Sequence, residues 1–162
     1  MWLDECRELC RRAKYVGEEV IWRTRDNHAG ALYASAVMLD LDRVVISGLQ
    51  FQGEVQNRRY GPYQKYSLMI SKGGRRLRVF ALEVMPVTKR SHIEDGLEIF
   101  GPHVQLGDER EDGLSHVARR VACNLDERSV NGWIRRFQRY ARVYDGDDFP
   151  LIPPFANDLF GL

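Results

Sequence analysis

The chain has 162 residues, of which 44% are hydrophobic and 29% are charged, and its formal net charge at pH 7 is +1. This length fits one domain, and the composition is typical of a globular protein rather than a disordered chain. The small net charge excludes a polycation that binds nucleic acid through its overall charge, but it is compatible with a local basic face.

The cysteines and the N-terminus indicate a compartment. Cys6, Cys10 and Cys123 are odd in number and form no CxxC pair, which is typical of reduced thiols in the cytoplasm. The N-terminus carries acidic and basic residues throughout and lacks the apolar segment of a signal peptide. No apolar run approaches the ~18 residues that a membrane-spanning helix needs. We expect a cytoplasmic protein without a membrane partner, and the sequence does not indicate its oligomeric state.

The first predicted element is an amphipathic helix over residues 2–16. Apolar residues recur there at spacings of three and four positions, and charged residues occupy the opposite face. Gly17 supplies a stop for this helix. Residues 31–41 are compatible with either a helix or a strand.

From Val44 onward, the alternation of apolar and polar residues predicts a meander of antiparallel strands. The predicted strands span residues 44–55, 64–71, 76–84 and 97–106. The Gly73-Gly74 pair between the second and third strands is a strong hairpin signal, because glycine accepts the positive φ angles of tight turns. Pro102 limits pairing at the centre of the fourth strand, because proline has no amide hydrogen to donate.

The C-terminal part of the sequence predicts an acidic turn, a helix and an apolar tail. Residues 107–113 have the composition of an exposed turn, and residues 114–123 favour a further strand. Asn124 followed by Glu127 is similar to a capping box at a helix start. The apolar stripe of this helix comprises Val130, Trp133, Ile134, Phe137, Tyr140 and Ala141. The tail, residues 145–162, carries enough apolar side chains to pack back on the body.

A leading helix, four or five antiparallel strands and a final helix predict an α+β fold. We expect a single domain over residues 1–162, with one antiparallel β-sheet flanked by N-terminal and C-terminal amphipathic helices. In this arrangement the helices cover one face of the sheet, and the other face is partly solvated.

The stretch from Arg75 to Leu106 concentrates titratable side chains, including His92 and His103. If the two runs that carry these histidines pair as neighbours, the imidazoles face each other near one end of the sheet. A general acid and a general base, with Arg90 to stabilise a developing anion, are what metal-free phosphodiester cleavage requires. We therefore predict His92, His103 and Arg90 as catalytic residues. The alternative is that His92 is an exposed loop residue and that His103 packs under Pro102.

The same histidines are also compatible with a metal site. Two histidines with a carboxylate from Glu94, Asp95 or Asp108 would form a common zinc or iron ligand set. Gln105 occupies the position where a histidine would complete an HxH pair on the strand. We therefore predict no metal and no cofactor.

Arginine and tyrosine side chains form a second candidate site. The outer face of the C-terminal helix is nearly all arginine, and the loop at residues 57–62 is basic and aromatic. Arginines can grip a phosphate backbone and tyrosines can stack on bases, whereas a solvated charged face is the alternative. The residues predicted to bind nucleic acid or an acidic protein partner are Arg58, Arg59, Tyr60, Arg76, Arg135 and Arg139.

The segment from Leu82 to Leu106 resembles the core of a family of uncharacterised small bacterial and phage proteins. The family pattern is a strand ending in a Leu-Asp-Ile-type triplet, a histidine, an Asp-Gly turn and a Pro-His-x-His strand. The corresponding residues are Leu82-Glu83-Val84, His92, Asp95-Gly96 and Pro102-His103. The chain departs from the pattern at Glu83 and at Gln105, where the family has its second strand histidine. The resemblance implies a role for the two remaining histidines but no established activity.

The sequence has no Walker loop, GxGxxG, GxSxG, HExxH or zinc-finger spacing, so the functions that these motifs indicate lose their usual support. Two hypotheses remain. The first is a nucleic-acid-interacting protein that acts as a small metal-independent endoribonuclease. The second is a non-catalytic binding protein, such as a phage- or mobile-element-encoded inhibitor, that holds a protein or nucleic-acid partner on a basic and aromatic surface.

Overall fold

The computed structural model describes residues 1–25, 27–108, 116–156 and 159–160. The fold is mostly β, with 50% of the residues in strands and 15% in helices. Two helices are present in these ranges, α1 (Trp2–Arg11) and α2 (Val130–Ala141). The strands are β1 (Lys14–Val16), β2 (Arg23–Arg25), β3 (His28–Leu39), β4 (Val45–Arg58), β5 (Gly61–Lys72), β6 (Arg75–Val84), β7 (Arg90–Glu94), β8 (Leu97–Phe100), β9 (His103–Gly107), β10 (His116–Arg120) and β11 (Val143–Tyr144).

The strands form two sheets. The main sheet has nine strands in the order β10-β9-β6-β5-β4-β3-β1-β11, with β2 paired to β3. Its pairs are antiparallel except β1 and β11, which run parallel. Strands β7 and β8 form a separate two-stranded sheet, called here the β7–β8 hairpin.

The predicted α+β fold with a single antiparallel sheet is therefore wrong. The main sheet is mixed, a second sheet is present, and strands dominate over helices. The segment that was ambiguous in the sequence, residues 31–41, lies mostly in the long strand β3. The secondary structure of such a segment is determined by its pairing with neighbouring strands, because the mixed propensities of alanine, valine and leucine favour neither a helix nor a strand clearly.

Helix α1 is shorter than its apolar pattern predicted. It ends at Arg11, and Arg12 already has extended backbone angles, with φ −69° and ψ 123°. The next residues form β1, which is held between two strands, because Tyr15 pairs with Leu39 on one side and with Tyr144 on the other. The buried Lys14 ammonium group donates to the carbonyl oxygen of Ala141 and ties this strand to the end of α2.

One face of the main sheet packs against the helices and forms the core. The Phe137 ring of α2 lies 5.5 Å from the Phe51 ring, 6.2 Å from the Tyr66 ring and 6.0 Å from the Phe80 ring. The predicted apolar stripe of α2 is confirmed as a buried face. Its predicted start is wrong, because Ser129 caps the helix through a hydrogen bond from the Gly132 amide.

Turn glycines decide how the central strands connect. The hairpin predicted at Gly73-Gly74 is confirmed, with φ angles of 57° and 73° between β5 and β6. The single strand predicted over residues 97–106 is wrong, because the chain turns at Gly101, whose φ is 71°. As a result β8 joins the β7–β8 hairpin, while β9 continues the main sheet beside β6.

The C-terminal segment contributes to the core. Leu151 is fully buried in the main apolar cluster, and the Trp22 indole donates to its carbonyl oxygen at 3.3 Å. The predicted acidic turn at residues 107–113 lies mostly outside the described residues. Neither helix of the described ranges has the length and apolar character needed to cross a membrane.

Candidate functional site on the open face of the sheet

The face of the main sheet opposite the helices, called here the open face, carries a continuous row of polar side chains. Directly opposed residues in neighbouring strands place their side chains on the same face of a sheet. The strand register therefore aligns one residue from each of six adjacent strands, from β3 to β10. This polar row comprises Tyr33, Glu54, Lys65, Glu83, His103 and Arg120.

Glu83 collects three donors at the centre of the polar row. The Tyr63 hydroxyl donates to Glu83 Oε1 at 2.5 Å, and Lys65 Nζ lies 3.5 Å from the same oxygen. His103 Nε2 lies 3.2 Å from Glu83 Oε2. Burial by itself raises the pKa of Glu83, but the bonds from His103 and Tyr63 and the charge of Lys65 lower it to about 2. The carboxylate is thus ionised. The pKa of Tyr63 is raised, first because its hydroxyl is buried and second because it lies beside the charge of Glu83.

His103 is fully buried, and both of its ring nitrogens have neighbours. Besides Glu83, its Nε2 lies 2.9 Å from the amide nitrogen of Gln105, and its Nδ1 lies 3.4 Å from the carbonyl oxygen of Gly101. A ring nitrogen that carries a proton donates, and one without a proton accepts. A protonated Nε2 of His103 therefore donates to Glu83, whereas an unprotonated Nε2 accepts from the amide of Gln105. The tautomer of this imidazole therefore selects its partner.

The β7–β8 hairpin places His92 on top of His103. The two rings are stacked, with centroids 5.9 Å apart and an angle of 13° between their planes. His92 Nε2 lies 2.9 Å from Glu94 Oε2, so each imidazole has its own carboxylate. The hairpin turns at Asp95 and Gly96, both of which have positive φ angles, of 49° and 78°.

The two predicted catalytic histidines are therefore neighbours, but they differ in access. Solvent reaches 16% of the His92 side chain and none of the His103 side chain. A substrate atom can approach His92 in this conformation, whereas it cannot approach His103. The third predicted catalytic residue, Arg90, is exposed and bound to Glu98 at 2.8 Å.

The geometry around the histidines does not suit a metal ion. Stacked rings hold their nitrogen lone pairs in nearly parallel planes, so the lone pairs do not converge on one point. Of the carboxylates that the metal alternative required, Glu94 binds His92, and Asp108 accepts the backbone amide of Arg78. Across the described residues, no cluster of three or more His, Cys, Asp or Glu side chains has a metal-binding arrangement.

A cation–tyrosine cluster, defined by Arg58, Arg59, Tyr60 and Lys89, lies at the end of β4 beside the β7–β8 hairpin. Arg58 Nη1 donates to the Tyr60 hydroxyl at 3.0 Å, and its guanidinium lies 3.5 Å from the centroid of the Tyr63 ring. Lys89 Nζ lies 4.8 Å from the centroid of the exposed Tyr60 ring. Through Tyr63, which binds Glu83, this cluster adjoins the histidine pair.

The six predicted binding residues do not form one surface. Arg58, Arg59 and Tyr60 belong to the cation–tyrosine cluster. Arg76 lies on the open face, where its guanidinium donates to Gln50 Oε1 at 2.8 Å. Arg135 and Arg139 lie on the outer side of α2, which covers the opposite face of the sheet. Those two arginines therefore cannot share a ligand contact with the first four.

Two side chains of the site, Lys65 and Glu83, were missed from the sequence, whereas Tyr63 was expected only as an aromatic ring that stacks on bases beside Tyr60. The alternation along β5 placed Tyr66, Leu68 and Ile70 on one face and gave no weight to the residues between them. A glutamate inside the apolar run of β6 was the available signal, because a buried carboxylate needs partners on neighbouring strands. The partners themselves could not be named without the strand order.

The comparisons with known proteins give no relative. No family model matches the chain, and no curated protein and no solved structure matches it either.

Proposed function

We propose that this protein binds single-stranded nucleic acid at the cation–tyrosine cluster. The supporting observation is the Tyr60 ring, which is 38% exposed and has the ammonium group of Lys89 beside it. Exposed aromatic rings stack on bases of any sequence, and neighbouring cations contact the phosphates between them. The proposal agrees with the cytoplasmic location expected from the sequence.

The fixed position of Tyr60 favours this role over a freely moving surface side chain. Its hydroxyl accepts a bond from Arg58, which in turn packs on the ring of Tyr63 and lies 3.4 Å from Glu54. A base that stacks on Tyr60 therefore meets a ring whose orientation is already set, which lowers the entropic cost of binding.

Fluorescence anisotropy with labelled RNA and DNA single strands of roughly 12 nucleotides tests the proposal. Tyr60→Ala is expected to weaken binding by about 5- to 150-fold, because one base–aromatic stack contributes about 1–3 kcal/mol. Arg59→Gln is expected to weaken binding and to reduce its salt dependence. Arg139→Gln, on the opposite side of the molecule, is the matched control. Absence of binding, or an equal loss in the control, contradicts the proposal.

Metal-independent RNA cleavage is a second candidate function. It is favoured by the two imidazoles, whose centroids are 5.9 Å apart and which each have a carboxylate partner. His92 and His103 would share the acid and base roles, with Arg90 as a clamp on the phosphate. Because His103 is covered, cleavage by this pair would require the β7–β8 hairpin, which carries His92, to move away from it.

Incubation with the same RNA in EDTA distinguishes cleavage from binding. Cleavage that persists in EDTA and is lost in the His92→Ala/His103→Ala variant supports the nuclease. The single variant His92→Gln keeps the buried His103 in place, so it separates a loss of chemistry from a loss of fold. Binding without cleavage, unchanged by these substitutions, would instead support the non-catalytic binding protein.

A further inference from the structure

The open face contains a cavity of about 750 Å³ that the proposed nucleic-acid site does not use. Its floor is polar, because the register aligns Ser35, Gln52 and Ser67 across β3, β4 and β5. Arginines from β2 and β6 also line the cavity. Binding sites for small molecules typically have volumes of about 300–1,000 Å³, so the cavity has a suitable size.

Arg78 is the side chain of the cavity whose hydrogen bonds are incomplete. Its Nε donates to the carbonyl oxygen of Gly107 at 2.9 Å, and its backbone amide donates to Asp108 Oδ2 at 2.8 Å. Its Nη2 is buried and has no hydrogen-bond partner among the described residues. A buried cationic donor without an acceptor is costly, so an anion that binds beside this guanidinium group is stabilising.

Among the described residues, four acidic side chains line the cavity: Glu18, Glu19, Glu54 and Asp108. Glu18 Oε1 accepts the Val37 amide, and Glu54 accepts from Tyr33 and Arg58. Five cationic side chains face these groups across the cavity: Arg23, Arg25, Lys65, Arg76 and Arg78. Arg76 and Arg78 are two positions apart on β6 and line the same cavity, so both guanidinium groups can reach one anion.

We infer that this cavity binds a small molecule that carries a phosphate group and has about the size of a nucleotide. The phosphate binds the guanidinium groups of Arg76 and Arg78, and the rest of the ligand lies over Ser67 and Gln52. A phosphate suits this position because its oxygens accept bonds from two guanidinium groups at once. The inference uses other residues than the cation–tyrosine cluster and stands independently of the proposed function.

Isothermal titration of the full chain with adenosine 5′-monophosphate, adenosine, inorganic phosphate and citrate tests the inference. We expect the monophosphate to bind more tightly than adenosine and citrate. Arg78→Met keeps the aliphatic stem and removes the guanidinium, so it is expected to weaken the monophosphate at least tenfold. Arg76→Met, at an exposed position, provides a second variant if Arg78→Met does not fold, and it is expected to weaken binding several-fold.

Two controls make the outcomes decisive. Arg135→Met on α2 is expected to bind the monophosphate like the wild type, and so is Tyr60→Ala, which disables only the proposed nucleic-acid site. Tighter binding of citrate or of adenosine than of the monophosphate overturns the phosphate assignment. Absence of binding for all four probes, or equal affinity of Arg78→Met and the wild type, overturns the site itself.

Discussion

The carboxylate of Glu83 is the most heavily engaged polar group of the open face. A phenol, an ammonium group and an imidazole all lie within 3.5 Å of its two oxygens. Since 13% of its side chain is exposed, these partners act in a medium that screens charge weakly. The ionised carboxylate on β6 therefore stabilises the pairing of this strand with β5 and β9, the two strands that contribute its partners.

Replacement of Glu83 by glutamine should change how the stability of the protein depends on pH. The pKa of Glu83 is about 2 in the folded protein and ordinarily 4.5, so its contribution is complete above pH 4.5 and is lost as the pH falls toward 2. We expect Glu83→Gln to lower the free energy of unfolding at pH 7 by on the order of 3 kcal/mol. At pH 3 the difference should fall by about half.

Urea unfolding of both proteins at pH 7 and pH 3 checks this expectation. Glu98→Gln is the matched control, because Glu98 pairs with Arg90 on the surface and half of its side chain is exposed. A Glu83→Gln variant whose loss of stability is the same at both pH values would show that the ionised form is not favoured by folding.

At the scale of elements, the β7–β8 hairpin depends on the turn that separates it from β9. Gly101 has a φ of 71°, and a Cβ atom there would lie 2.9 Å from the Cα atom of Val87. Neither the backbone angle nor the contact accommodates a side chain at low cost. The glycine therefore fixes both the separation of the two sheets and the position of His92 above His103.

We expect Gly101→Ala to destabilise the protein more than Gly73→Ala does. Gly73 also has a positive φ, of 57°, but a Cβ there would meet no atom within 4 Å. Both variants carry the conformational cost of about 1–2 kcal/mol for alanine in the left-handed region, and only Gly101→Ala adds a backbone clash. Thermal unfolding measures the difference, and equal melting temperatures would contradict it.

The same two glycines show what the sequence could predict about elements. Gly73-Gly74 lies between two alternating runs, so local information sufficed for the hairpin. Gly101 lies inside an apolar run that reads as one strand, and its role depends on Val87, which is distant in the chain. The histidine pair was predicted only conditionally for this reason, since its geometry follows from a turn that the alternation pattern conceals.

At the scale of the whole molecule, the main sheet joins two segments that are far apart in the sequence. Lys14 pairs with Val143, and its ammonium group binds the carbonyl oxygen of Ala141. Burial lowers the pKa of Lys14 from 10.5 to about 8. No local pattern predicts a parallel pair between residues so far apart, and this pair is one reason why the expectation of a single antiparallel sheet was wrong.

The buried ammonium group of Lys14 should make the wild type gain stability with rising pH relative to Lys14→Met. The folded protein loses this proton near pH 8 and the unfolded chain near pH 10.5, so the unfolded state binds more protons between these values. Between pH 7 and pH 9.5, the unfolding free energy of the wild type should rise by about 2 kcal/mol relative to that of Lys14→Met. Urea unfolding at both values measures it, Lys89→Met serves as the exposed control, and a constant difference would contradict the expectation.

The parallel pair of β1 and β11 also sets an order of events during folding. The strands β3, β4, β5 and β6 pair with their neighbours in sequence, so their loops close over short distances and at a low entropic cost. Strand β1, near the start of the chain, gains its second partner only when Val143 and Tyr144 are present. On the ribosome the central meander can therefore form first, while β1 gains its second partner only after β11 has emerged.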